Sequence, residues 1–246
     1  MNNLKTIAAL AFGAMTVSSA FALTDGPYSI SYPGSGTTTL DFPQGATVSL
    51  PKFNVGGGAI LDSITVAAAY SGNSQVKFEN LGAGTGSVSI TGRSVALELQ
   101  RPGGTGALGD ANAILSLGKS LSPFSFTYTA YDGTTDYAGT SGSASSNQAY
   151  SQSDSIALTD GSDITAFSGA GSIVLPIINQ VGYSVFGAGT SSIITPTTGS
   201  ATVTVTYTYH FNTNVPEPKV YGAIGAVACL GLLGYRRFRN RQTAQS

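Results

Sequence analysis

The chain has 246 residues, of which 9% are charged, with a formal net charge of −1, 32 glycines and no tryptophan. Between residues 23 and 215 the bases are Lys52, Lys77, Arg93, Arg101 and Lys119 against eleven acids, 5 − 11 = −6, so the other bases sit at the two ends. A body of that charge with no Lys/Arg cluster excludes a nucleic-acid partner, because displacing counterions from phosphates needs clustered cations; its polar surface must come from Ser, Thr, Asn and Gly, which suits an extracellular or matrix protein.

At the N-terminus, Met1 to Lys5 carries one positive charge and Thr6 to Val17 is apolar and small. Ser18-Ser19-Ala20-Phe21-Ala22 then ends in the small-residue pattern of a signal peptidase site, so residues 1–22 are expected to be a signal peptide cut after Ala22, with Ala20 and Ala22 as the recognised residues. A first membrane helix would need a longer apolar run. The body that follows, about 190 residues, is long enough for one domain with a real core. The sole cysteine, Cys229, lies beyond it, so no disulfide staples the domain.

Within residues 23–211 the apolar residues alternate in period two, the pattern of strands with one buried and one wet face. Val48 and Leu50 begin it; Ile64, Val66, Ala68 and Tyr70 follow, and a hairpin turn is expected at Ser71-Gly72-Asn73-Ser74 before Val76 and Phe78. Val88 and Ile90 precede an expected turn at Thr91-Gly92-Arg93; Val95, Leu97 and Leu99 follow, with Glu79 and Glu98 assigned to outer strand faces. Phe124, Phe126 and Tyr128 make another strand, and the Gly/Ser-rich residues 138–155 read as a long flexible loop. Short runs near residues 155–158, 173–178 and 183–186 lead to the clearest strand, residues 201–211, where Val203, Val205, Tyr207, Tyr209 and Phe211 alternate with Thr202, Thr204, Thr206, Thr208 and His210. No segment holds a helical period with caps; the best candidate, residues 110–117, is short. The expectation is an all-β fold, an antiparallel β-sandwich of jelly-roll-like or Ig-like kind.

After a polar linker at residues 212–219 comes an uncharged apolar run, residues 220–235, and then Arg236, Arg237, Arg239 and Arg241 in a basic tail, residues 236–246. Sixteen residues of helix rise roughly 24 Å, short of a hydrocarbon core of about 30 Å, so the run spans with Lys219 and Arg236 reaching toward the headgroups. The arginines belong on the cytoplasmic side, which puts the body across the inner membrane. A plain tail anchor, its prolines merely breaking the chain, is the alternative.

Pro216-Glu217-Pro218, the marginal apolar helix and the terminal arginines, in that order, resemble the PEP-CTERM sorting signal of Gram-negative bacteria. The resemblance implies recognition by an exosortase, a membrane-embedded cysteine transpeptidase-like enzyme that cuts near the motif and releases or re-anchors the upstream protein at the cell surface. Leu50-Pro51-Lys52-Phe53 followed by Ile64-Thr65-Val66, then Phe78-Glu79-Asn80-Leu81-Gly82 and Phe167-Ser168-Gly169-Ala170-Gly171, is similar to the type E choice-of-anchor domain. That class is named for attachment and implies no catalytic residues.

Side chains for chemistry are few. The single histidine, His210, lies on the wet face of the last strand and has no acid and nucleophile arranged around it in the sequence; with no cysteine in the body, the usual zinc ligand sets are missing. Most aspartates stand at turns such as Asp132-Gly133 and Asp160-Gly161. Asp154, Asp160 and Asp163 are weak candidates for a calcium ion. The threonine row at residues 202–208 suggests an ice face, but the sequence offers one such row and no solenoid period. No cofactor and no enzyme activity are expected. The expected role is that of a structural or adhesive surface protein linked to exopolysaccharide or biofilm, with signal peptidase and exosortase as processing partners; a carbohydrate-binding or ice-binding module is the alternative.

Overall fold

The computed structural model describes residues 22–33, 38–39, 46–187, 189–211 and, in the tail, 226–227 and 230–231. Ala20, the Pro216-Glu217-Pro218 motif, the four tail arginines and nearly all of the apolar run lie outside the described residues. Among the described residues no helix is long and apolar enough to cross a membrane. The chain divides into two compact units. One comprises residues 1–22, 57–60 and 210–246, and of it Gly57 and Gly58 are described in left-handed backbone, which a glycine adopts without strain. The other, residues 23–56 and 61–209, holds the buried core.

In chain order the elements are β1 Leu23–Tyr32, β2 Thr38–Thr39, β3 Thr47–Pro51, β4 Ala59–Ser74, β5 Lys77–Asn80, β6 Gly86–Gln100, β7 Ala113–Ser120 and β8 Phe124–Tyr128. Then come β9 Gly142–Ala144, β10 Gln148–Leu158, α1 Gly161–Phe167, β11 Ser172–Phe186, β12 Ser191–Ile194 and β13 Thr197–Phe211. One sheet runs β1-β13-β4-β10, with β2 beside β13. A second runs β3-β11-β6-β7, with β8 beside the first half of β6, and a small third sheet runs β12-β5-β9. The pairs β1–β13, β4–β10, β3–β11, β11–β6, β6–β7, β6–β8, β12–β5 and β5–β9 are antiparallel. The described body, residues 23–211, is an all-β, sandwich-like assembly with one short helix.

Period-two alternation positions the core. Ile64, Val66, Ala68 and Tyr70 of β4 and Val203, Val205 and Tyr207 of β13 turn inward from the first sheet. From the second come Leu50 opposite Ile173, Val48 opposite Leu175, and Leu97 opposite Leu117. Each fully buried aliphatic or aromatic side chain contributes about 1.5–3 kcal/mol. Tyr207 Oη donates to the Pro51 carbonyl at 2.6 Å and Tyr70 Oη to Asn179 Oδ1 at 3.1 Å, so two hydroxyls cross from the first sheet to the second. A separate cluster of Val76, Phe78, Val88, Ile90, Phe124 and Tyr128 fills the space under the third sheet.

Four local expectations are corrected. Ser71-Gly72-Asn73-Ser74 is not a turn but the end of β4, paired with β10 from Ser151 to Gln148. Gly72 is required there for close approach, since a Cβ would overlap the Thr198 carbonyl oxygen and crowd Tyr150 Oη. Thr91-Gly92-Arg93 is a bulge inside β6: Thr91 pairs with Ser184 and Ser94 with Gly182, so two residues face one, with Gly92 at φ +59°. Residues 138–155 are not one flexible loop; they contain β9 and most of β10, an edge strand whose serines alternate outward. The helix is α1, and the region of residues 113–117 is strand β7. Seven residues are too few to show a helical period, and α1 is set by Phe167, fully buried, and Asp163, held by an ion pair.

Replacing Gly72 by Ala is expected to destabilise the fold by about 3 kcal/mol or more, because the added methyl meets backbone that cannot yield. Gly118→Ala, where a Cβ has open space, should change stability by less than about 0.5 kcal/mol. Denaturant titration of the two variants checks this. Burial raises the hydroxyls of Tyr150, Tyr207 and Tyr70 above the ordinary tyrosine value. A folded-state value above the unfolded one means that the associated stability is present below pH of about 10 and is lost as the pH rises through the folded value. In an alkaline titration followed by tyrosinate absorbance and circular dichroism, these three tyrosines should ionise only as the strands melt.

Candidate functional site

The outward face of the first sheet carries small side chains in register. Because side chains alternate along each strand, the residues between the core positions line up across four strands. They are Ser29 and Ser31 on β1, Thr202 and Thr204 on β13, Ala67 and Ala69 on β4, and Ser153 and Ser155 on β10, where Ser155 stands opposite Ala67 and Ser153 opposite Ala69. Threonine and serine fit a pleated strand and expose a hydroxyl. The two alanines stop short of their neighbours, so the face dips along β4.

The dip is an open trough of about 480 Å³. Its floor is Ala67 to Ala69; Thr202 and Thr204 form one wall, and Ser153, Asp154 and Ser155 the other. Ser29 Oγ and Thr204 Oγ1 are hydrogen-bonded at 2.7 Å, and Ser31 Oγ and Thr202 Oγ1 at 2.9 Å, so the threonine wall is braced from β1. A hydroxyl that makes one such bond retains further donor or acceptor capacity. Asp154 is the one charged residue of the lining, and its Oδ1 accepts the Ser155 N–H at 2.7 Å. Chemically the trough offers methyl groups below, hydroxyls at the sides and one carboxylate at the rim.

The acids and bases elsewhere are mostly committed to structure. Glu79 and Glu98, expected on outer faces, are 0% and 1% exposed. The alternation placed Glu98 correctly on the side away from the core, but the loop after β6 folds back over it. Glu98 Oε2 accepts the Gly109 N–H at 2.7 Å and the Ser116 hydroxyl at 3.2 Å, and Oε1 accepts Gln100 Nε2 at 2.7 Å. Glu79 lies under the loop of residues 129–141 and accepts the Tyr137 N–H at 2.7 Å. Asp110 is held down to a pKa of about 2 chiefly by the Thr105 hydroxyl, then by the backbone N–H groups of Asn112 and Thr105.

Of the calcium candidates, Asp163 is tied up: its two oxygens accept Arg101 Nε at 2.7 Å and Arg101 Nη2 at 2.9 Å. That hydrogen-bonded carboxylate raises the guanidinium pKa. Asp160 precedes α1 as its N-cap residue without a side-chain cap bond, and Asp154 stands at the trough. Among the described residues no three His, Cys, Asp or Glu side chains converge as a metal site. His210 is half-buried on β13. Ala22 is exposed immediately before β1. The sequence reading missed Ala67, Ala69, Ser153 and Ser155; the signal was present as Ala67-Ala68-Ala69 and as serines at 151, 153 and 155, spaced by two.

No family model matches the chain, and no curated protein matches it. Among solved structures, one titled "Structure of infectious bursal disease virus Gx strain" matches at 14% identity and a TM-score of 0.19, over 89% of this chain and 48% of that one. The chain thus spans about half the length of that viral protein, and a similarity so slight bears on neither fold detail nor function.

Proposed function

We propose that this chain is an exported bacterial surface or matrix protein, sorted by its C-terminal signal, whose β body acts as a structural or adhesive element in contact with exopolysaccharide. The body is a sandwich of the two larger sheets, presented outside the inner membrane by a short membrane helix that exosortase removes. The observation that carries the adhesive part is the trough: a hydroxyl-walled, nearly uncharged surface built across three strands, with its threonine wall braced from a fourth by side-chain hydrogen bonds. Two further features support the reading. The first strand begins at Leu23, immediately after the expected cleavage point. The two glutamates of the body are buried under loops, engaged by backbone N–H groups, and do not face each other across a cleft as glycoside hydrolysis requires.

Between the alternatives, a carbohydrate-binding module fits the face better than an ice-binding one. Ice recognition calls for a flat array, whereas the alanine row sinks the middle of this face between its threonine and serine walls, and antiparallel sheets twist. A polymer chain with its own hydroxyls and C–H faces fits a furrow that offers the same pair of chemistries.

Two measurements test the proposal. In the native host, intact-mass analysis should find the protein lacking residues 1–22 and the arginine tail, and loss of exosortase should retain a membrane-bound form with Arg236 to Arg241 attached. Retention of the arginines in the mature wild-type protein would argue against processing. Filling the furrow with Ala69→Arg, at an exposed position, should leave thermal stability within about 0.5 kcal/mol and reduce sedimentation with host exopolysaccharide. Unchanged co-sedimentation would remove the trough from the adhesive surface.

A further inference from the structure

The first sheet has one sign of charge. Strands β1, β13, β4 and β10 carry Asp25, Asp62 and Asp154 and no Lys or Arg, and β2 is two threonines. The bases of the body stand elsewhere: Lys52 follows β3, Lys77 is on β5, Arg93 and Lys119 are on β6 and β7, and Arg101, just after β6, is engaged by Asp163. Of the three aspartates, Asp25 accepts the Tyr28 hydroxyl at 2.6 Å, and Asp154 is the one that lines the trough.

By register Asp154 stands opposite Ala68, which is buried. β10 is the edge of its sheet, however, and there Asp154 is exposed, with its Oδ1 accepting the Ser155 N–H at 2.7 Å. That bond lays the carboxylate along the strand, between the exposed Ser153 and Ser155 of the same wall. One backbone bond leaves most of its acceptor capacity unused, since the two oxygens of a carboxylate offer about four lone-pair sites. Among the described residues no Lys, Arg or His forms an ion pair with it. The opposite wall is neutral, because Thr202 and Thr204 share their hydroxyls with Ser31 and Ser29. The open space of about 480 Å³ therefore lies between an anionic side flanked by hydroxyls and an uncharged side of hydroxyls, above a methyl floor.

We infer that the trough selects glycans that bear primary amines, amino sugars in their unacetylated form, with Asp154 receiving the ammonium group and Thr202 and Thr204 meeting ring hydroxyls across the alanine floor. An ammonium carries three donors and one positive charge, which suits a carboxylate set between two hydroxyls. An N-acetylated amine offers a single N–H and no charge. A glycan of uronate or sulfate groups would bring like charge to a sheet with no Lys or Arg to receive it, and like-charge juxtaposition suppresses wrong partners. One exposed ion pair raises affinity by up to about fivefold, so the preference is graded rather than absolute. The inference rests on the reading of the trough as a glycan-contact surface and adds to it the class of glycan.

The test titrates the full chain in nonionic detergent micelles by calorimetry, in mildly acidic buffer of low ionic strength that keeps sugar amines protonated. The probes are glucosamine oligomers, the same oligomers fully N-acetylated, and galacturonate oligomers of equal length. The amine form should bind about fivefold more tightly than the acetylated form, galacturonate should bind most weakly, and the preference should shrink as salt is added. Asp154→Asn should remove most of that preference, whereas Asp136→Asn, which removes the same charge at an exposed position between β8 and β9, should keep it. No binding of the amine form, equal affinity for the amine and acetylated forms, a preference untouched by Asp154→Asn, or an equal loss in both variants overturns the inference. Ala69→Gln, which fills the furrow without adding charge, separates this failure from failure of the underlying reading. If it weakens every glycan while the wild type shows no amine preference, the trough stays a glycan surface and only the amine assignment falls; if it binds every oligomer as the wild type does, the trough itself is removed along with the inference.

Discussion

Two tyrosine hydroxyls define what the body depends on. Tyr207 reaches from the first sheet to the Pro51 carbonyl and Tyr70 to Asn179, and around them the aliphatic rows of β4, β13, β6 and β11 exclude water. The chain has no disulfide in this region, and its described salt bridge ties α1 to the end of β6 rather than sheet to sheet. Burial with directional hydroxyl bonds therefore carries the register between layers. A phenol can do this because its ring packs as a large apolar body while its oxygen finds a carbonyl at the far side. Phe53 reinforces the same point, with its ring 5.7 Å from that of Tyr207 and 5.2 Å from that of Tyr209.

The scarcity of charge has a second consequence. With few acids available, several are spent indoors: Glu98, helped by the amide of Gln100, holds the loop after β6, Asp163 holds Arg101, and Glu79 sits under the loop before β9. Each replaces packing that a glycine-rich loop cannot provide. Gly109, Gly106 and Gly142 lie where these acceptors need exposed N–H groups or space, so the abundance of glycine and the burial of carboxylates are one design. The outer face of the first sheet is left to hydroxyls and methyl groups.

Much of the strand pattern was legible in the sequence, because period two is a local property. The inward rows Ile64, Val66, Ala68, Tyr70 and Val203, Val205, Tyr207 stand as alternation predicts. The misreadings arose where a local signal had a nonlocal cause. Gly72 signals a turn by composition, but it is there because β13 backbone passes beside it. Gly92 marks a bulge, which carries the same left-handed backbone as a turn yet continues the strand. Glu98 has the parity of an outer-face residue, and parity cannot reveal that a loop will return to cover it. The trough was illegible for a related reason: its walls come from β13 and β10, distant in sequence, and only sheet order places Thr204 and Ser155 on either side of Ala67.

Sheet order also explains why small residues lie at the centre of that face and larger polar ones at its sides. β4 is an interior strand between β13 and β10, so a long side chain there would fill the furrow and cover both neighbours. Alanine at 67 and 69 is a poor strand former, and its selection at two alternate outward positions runs against local propensity. Inward Ala68 answers to packing, but outward Ala67 and Ala69 have no core to fit. A residue choice that costs strand propensity without gaining burial is best explained by the shape it leaves on the surface, which is the physical ground on which the proposed polymer contact is sought on this face and not on the loops around it.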